Sequence, residues 1–199
     1  MYKVHIATSR QAEIGNRCIA YAKDNLPANF ELTDIAEECD VFISVLYDTL
    51  ITEEFIAARR SYNFHPGILP DFRGAGAFSW ALINKEKETG ITLHEIDANI
   101  DNGPIIDVSK TAITAEDTAG SLFVRCMDLL FSLFVTYFNS LLTGNYTTHA
   151  NAGGCLYLRK DLEVAKDISH IVRAFTFEGK ESAYWIDSEG NKKYAEFIS

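Results

Sequence analysis

Asn63 and His65 stand two positions apart at the end of an apolar run, in Tyr62-Asn63-Phe64-His65-Pro66-Gly67. In an extended segment residues i and i+2 share a face, so this amide and this imidazole converge on one reacting atom. An imidazole changes charge near neutral pH and suits proton transfer, while a side-chain amide donates a hydrogen bond without ionising. Further along, Ile100-Asp101-Asn102-Gly103-Pro104 offers a carboxylate in a turn-prone loop. Folded back onto His65, Asp101 would orient the ring and stabilise its cation, as a carboxylate does in other acyl-transfer centres. Each residue also has an ordinary reading: Asn63 and Asp101 as turn residues, His65 as a packed histidine. Taken together, an amide, an imidazole and a carboxylate make an acyl-transfer centre.

The elements that must position them follow from hydrophobic patterning. Residues 4–7 form an apolar run, and Ile14, Cys18, Ile19 and Ala22 then recur at helical spacing, which predicts strand, loop and helix. Residues 41–46 are apolar and β-branched, as in a strand covered on both faces. Thr52, Glu53 and Glu54 predict the start of a short helix reaching Arg60, with 62–65 as the next strand. A helix over 77–87, strands over 90–97 and 104–113, and a long helix over 115–142 follow. In the last, Leu122, Cys126, Leu129, Leu130, Leu133, Phe134, Tyr137 and Leu141 recur near a 3.6 period, and Thr143-Gly144-Asn145 supplies the stop. Strands alternating with helices predict an α/β fold, a twisted and mainly parallel sheet with flanking helices of Rossmann type. Ligands are expected beyond the carboxyl ends of its strands, where Asn63 and His65 fall. The tail carries a strand near 155–158, a helix at 168–175 and a hairpin built from 183–187 and 192–197. The expected organisation is a catalytic domain, 1–150, and a C-terminal extension, 151–199, packing on the same domain.

Asn63-x-His65, Leu69-Pro70-x-x-Arg73-Gly74, Gly90-Ile91-Thr92-Leu93-His94 and Asp101-x-Gly103, in this order, resemble the catalytic core of the folate-dependent formyltransferases, strongly over about residues 40–115. The resemblance implies 10-formyltetrahydrofolate as formyl donor, a small-molecule primary amine as acceptor, and Asn63, His65 and Asp101 as the catalytic set, with no metal. It places folate recognition on two segments. Leu46, Tyr47, Thr49, Leu50 and Ile51 precede the Asn-x-His strand, and Asp97, Ala98, Asn99 and Ile100 precede the aspartate. Their backbone groups would read the pterin edge, with Leu50 and Ile51 as apolar walls. Arg73, His94, Ser9 and Arg10 take substrate-side or supporting roles.

The segment Thr8-Ser9-Arg10-Gln11-Ala12 lacks a Gly-rich phosphate loop, which argues against a glycinamide ribonucleotide acceptor. The short interval between the first strand and Asn63 implies a reduced N-terminal sheet. Gly153-Gly154-Cys155-Leu156-Tyr157 and Arg159-Lys160-Asp161 resemble tails of the small amino-sugar and peptide formyltransferases, and Trp80 resembles an aromatic of the same branches. A nucleotide-linked amino sugar therefore stands first among acceptors. The alternatives are a phosphoribosylglycinamide or methionyl-tRNA formyltransferase-like enzyme, a formyltetrahydrofolate hydrolase in which water replaces the amine, and a non-catalytic folate-binding protein.

Bulk composition narrows the partners. A formal net charge of −10 over 199 residues disfavours nucleic acid, whose phosphates need Lys and Arg to displace counterions. Cys18, Cys39, Cys126 and Cys155 lie far apart with no CxxC pair, which suggests neither zinc nor a disulfide framework and fits a reduced, cytoplasmic setting. The N-terminus reads as a first strand rather than a signal peptide. The apolar stretch 129–138 is too short to span a membrane and reads as part of a buried helix, a face that is also compatible with a homodimer.

Overall fold

The computed structural model of the chain describes residues 1–8, 12–158, 168–179, 182–186 and 189–194. A six-stranded sheet organises the chain, in the spatial order β2-β1-β3-β4-β6-β7. Its strands are β1 (Tyr2–Ala7), β2 (Phe30–Leu32), β3 (Val41–Val45), β4 (Arg60–His65), β6 (Glu88–Glu95) and β7 (Ile105–Ala112). The pairings β1–β2, β1–β3 and β3–β4 are parallel, whereas β4–β6 and β6–β7 are antiparallel. The sheet is thus mixed, parallel in its N-terminal half and antiparallel beyond β4. That N-terminal half keeps four strands. The brevity read from the sequence lies partly in the β3–β4 connection, whose helix α2 (Glu53–Ala57) has five residues.

Strand alternation decides what each face carries. Val41, Ile43, Val45, Tyr62, Phe64, Ile91 and Leu93 point into the main core, which α1 (Ala12–Asn25) and α4 (Ala119–Thr143) cover. The α4 stripe Leu122, Cys126, Leu130, Phe134, Phe138 and Leu141 is fully buried against them. Thr118 and Ser121 cap its N-terminus reciprocally, and left-handed Gly144 closes its other end. Burial pushes the Cys18 and Cys126 thiols up to about 12, so they serve as packing groups. On the opposite face, β3, β4 and β6 present Ser44, Ser61, Asn63, His65, Thr92 and His94, and all but Asn63 are buried.

Three boundaries differ from expectation. Helix α2 stops at Ala57, because β4 already begins at Arg60. Helix α3 (Ala77–Ile83) ends early: Lys85 takes a left-handed φ of 61°, and the chain enters β6 at Glu88. The long helix starts at Ala119, because Thr114 and Asp117 fold into a hydrogen-bonded turn ahead of it. Strand β5 (Phe72–Gly74), unforeseen in the sequence, pairs in parallel with β8 (Cys155–Tyr157). Helix α5 (Ile168–Phe175) docks near α3, where Ser79 Oγ donates to the Ala174 carbonyl, and β9 (Tyr184–Ile186) pairs with β10 (Lys192–Tyr194).

Candidate active site

Strand β4 carries Asn63 and His65 on the polar face, and β6 runs antiparallel beside it so that His94 lies opposite Asn63. The loop leaving β6 then turns back over this face. It closes on itself where Gly103 packs against the Glu95 carbonyl so tightly that a Cβ would collide with it. Asp101, at the turn, adopts a left-handed φ of 47° and brings its carboxylate onto the strand.

Four side chains meet there. Asp101 Oδ2 is 3.3 Å from His65 Nδ1, and Asp101 Oδ1 is 3.6 Å from His94 Nε2. Asn63 Nδ2 donates to Asp101 Oδ1 at 3.2 Å and lies 3.2 Å from His94 Nε2. The amide is held from its other end by Ser44 Oγ, which donates to Asn63 Oδ1 at 2.7 Å. Since Oδ1 already accepts, Nδ2 faces the centre, and the orientation of Asn63 follows from its partners. His94 Nδ1 donates to the Glu95 carbonyl, 2.6 Å away, and Nε2 faces both Asn63 Nδ2 and Asp101 Oδ1.

The electrostatics divide the two central groups. Burial pushes the Asp101 carboxyl up, but His65, His94 and the Gly74 N–H, which donates to Oδ2 at 2.9 Å, outweigh it and hold the group at about 2. Burial pulls His65 below the ordinary histidine value, against the opposing pull of Asp101. At neutral pH the pair is therefore a carboxylate beside a neutral ring. Both ring nitrogens nonetheless face oxygen: Nδ1 faces Asp101, and Nε2 lies 2.6 Å from the Phe72 carbonyl. A neutral ring has one hydrogen for two acceptors, and an incoming proton satisfies both. That is the arrangement of a base whose conjugate acid has partners waiting.

A formyl transferase family model matches residues 11–137. The chain belongs to the formyl transferase family. It is 30% identical over 179 residues to the dTDP-4-amino-4,6-dideoxyglucose formyltransferase of Mycobacterium bovis, covering 84% of this chain and 76% of that one. Among solved structures, a sugar N-formyltransferase from Shewanella superposes with a TM-score of 0.84 at 20% identity over 99% of this chain and 97% of the other. The Helicobacter canadensis N-formyltransferase, solved with folinic acid and dTDP-3-aminofucose, gives 0.77 at 21% identity over 99% and 93%. At these identities the structures speak for the fold, which they share from end to end.

In this family member the remaining residues singled out in the sequence separate into groups. Arg73 braces the loop that carries Asp101, donating to Asn102 Oδ1 at 2.7 Å and to the Gly153 carbonyl. Asp97 also braces it, accepting from the Asn99 N–H at 2.9 Å and from Asn102 Nδ2 at 2.7 Å. Tyr47 and Ile51, from the first segment assigned to folate, pack around Phe42 together with Ile96, and no residue of the second segment, 97–100, joins that cluster. Leu50, expected as a wall, is 82% exposed. Ala98, Asn99 and Ile100 crest the loop in solvent, Thr49 is exposed, and Leu46 turns the chain out of β3 with φ 56°. Ser9 and Arg10 lie outside the described residues.

Patterning alone did not single out Ser44, Gly74, Asn102 or Asn151 as site residues. Ser44 left a trace, as a hydroxyl inside an apolar strand. The others act through hydrogen bonds from loops or, for Gly74, from the short strand β5, where no periodicity marks them. An open cleft of about 220 Å³ lies toward the start of β4, lined by Ile56, Arg60, Ser61, Glu95, Ile96 and Tyr146 among others, and none of Asn63, His65, His94 and Asp101 lines it. Ser61 is two residues before Asn63 on the same face, and its buried Oγ has no hydrogen-bond partner.

Proposed function

We propose that this protein transfers a formyl group from 10-formyltetrahydrofolate to the primary amine of a nucleotide-linked amino sugar. The observation that carries the reading is the meeting of Asp101 with both His65 and Asn63, at 3.3 and 3.2 Å, at the carboxyl end of β4. The bound donor supplies an activated formyl carbon. The segments 46–51, whose Tyr47 and Ile51 pack at the Phe42 cluster, and 97–100 are the groups that would hold its heterocycle.

The amine nitrogen forms a bond to the formyl carbon, and the bond from that carbon to the donor nitrogen breaks, leaving an N-formyl product and tetrahydrofolate. Asn63 Nδ2 hydrogen-bonds the oxygen as negative charge builds on it. Its two contacts at 3.2 Å are long, so an oxyanion displaces one of them readily. His65 takes the proton released by the amine, and the Asp101 carboxylate beside Nδ1 stabilises the resulting imidazolium. The proton then passes to the departing donor nitrogen. His94 and Ser44 keep the amide turned so that its N–H groups face the reaction.

The amino-sugar acceptor is supported by the names of the relatives and by the acidity of the chain, which disfavours tRNA. The same reading places the enzyme in the cytoplasm, where unpaired cysteines stay reduced. A screen of nucleotide-linked amino sugars, read by mass with formyl donor present and absent, tests it. The expected result is a donor-dependent gain of one formyl group on one sugar class. Formate released at the same rate without any acceptor would make the protein a hydrolase instead, and stoichiometric folate binding without turnover would make it a binding protein.

A further inference from the structure

Asn151 lies beyond the residues matched by the family model, in the segment joining α4 to β8. Its Nδ2 donates to the Asp101 carbonyl at 3.0 Å and to the Gly103 carbonyl at 2.8 Å. Two carbonyl oxygens on one nitrogen fix the amide, since the flipped form would set oxygen against both. The segment reaches this point from a rigid anchor, because His149 and Ile105 exchange backbone hydrogen bonds at 2.7 and 2.9 Å. The turn it touches is the one in which Asp101 takes a left-handed φ, a conformation that costs an L side chain free energy and persists only where its surroundings enforce it.

We propose that Asn151 is a positioning residue for the catalytic carboxylate: its amide crosses from the C-terminal segment to hold the Asp101 turn left-handed, which aims Oδ1 and Oδ2 at Asn63 and His65. If that turn relaxed toward negative φ, the carboxylate would swing off the strand face. Arg73, Asn102 and Asp97 brace the flanks of the loop, whereas only Asn151 among the described side chains binds the carbonyls on both sides of Asn102. The extension is on this view part of the active centre.

A brace that merely stabilised the fold would lower the folded fraction and leave the titration of His65 alone. The titratable groups facing His65 are Asp101 from the loop and His94 from β6. Asn151 is uncharged, so replacing it reaches His65 through the placement of Asp101. The test is an NMR titration of histidine rings in the full chain, with His65 assigned by its own substitution, comparing wild type with Asn151→Ala. The expected result is a midpoint for His65 lower by about one pH unit, the size of effect one neighbouring charge exerts. A fall in kcat of about 10- to 100-fold should accompany it. Asn151→Ser, which keeps a donor, should recover part of both.

A folded Asn151→Ala with the wild-type His65 midpoint overturns the proposal. So does failure of both variants to fold, which would assign the residue to the fold. The role in turnover rests on the formyl-transfer reading, but the titration needs no turnover. A wild type that transfers nothing therefore defeats that reading while leaving the positioning of Asp101 readable.

Discussion

Two aspartates, half-buried Asp101 and buried Asp117, have carboxyls held below the ordinary range by different kinds of partner. In both, burial acts to raise the pKa and donors overcome it. At Asp117 the counter-groups are the Arg125 guanidinium, which grips both oxygens at 2.9 and 2.8 Å, together with Ser121 Oγ and the Thr114 N–H at 2.7 and 2.8 Å. Arg125 never loses its charge, so this node has one state, and it caps α4 while Arg173 ties the Asp117 carbonyl to α5. At Asp101 the partners are two imidazoles, an amide and one backbone N–H. An imidazole can gain a proton and an amide can exchange partners, so this node is not confined to one state as the guanidinium pair is. A depressed carboxyl marks a reactive centre only where its partners can themselves change.

The contrast breaks most sharply under substitution. Asp101→Asn should lower kcat on the order of 10³- to 10⁴-fold, as loss of an orienting carboxylate does in other acyl-transfer sites, with little change in the denaturant midpoint. Steady-state kinetics beside unfolding curves would show both. Asp117→Ala should do the reverse, costing about 3 kcal/mol of stability by stranding Arg125 and the caps, with kcat per folded molecule unchanged. Because the folded Asp117 carboxyl lies below its unfolded value of 3.8, its contribution is present above that pH and is lost as pH falls through the folded value. Acid unfolding of wild type and Asp117→Asn should therefore converge at low pH.

Smaller effects sharpen the comparison. Ser44→Ala removes one neutral hydrogen bond from Asn63, and a loss of about tenfold in kcat is expected, with KM for the donor little moved. In the pH profile of kcat/KM the acid limb should lie below about 6.5, since burial lowers His65 and the neutral base is lost as pH falls through that value. Asp101→Asn should carry the limb lower still, because burial then acts unopposed, whereas Asp117→Asn should leave it in place. A limb common to all three proteins would detach His65 from the rate.

The same contrast explains what the sequence disclosed. Asn63 and His65 were legible because they sit at strand spacing on an apolar run, and β4 does present them on one face. The long helix was legible because its stripe repeats over many turns. Asp101 was legible as a carboxylate in a turn-prone loop, singled out by the order of the motifs rather than by periodicity. The antiparallel return of β6, which sets His94 against Asn63, depends on pairing between distant residues, and a parallel crossover would have shown the same local pattern. Strand β5 escaped notice because its three residues owe their conformation to β8, over eighty positions away. Leu50 is apolar and lies in solvent, a placement composition alone would not suggest.

The ring that Gly103 and Glu95 close at the foot of the catalytic loop separates two kinds of change. Its crest, Ala98 to Ile100, stands in water, while Asp101 is fastened below by the Asn151 side chain and the Gly74 N–H. Insertions or substitutions at the crest could retune which molecule is admitted without disturbing the carboxylate. A scaffold divided in this way can diversify its clientele while its reaction stays the same.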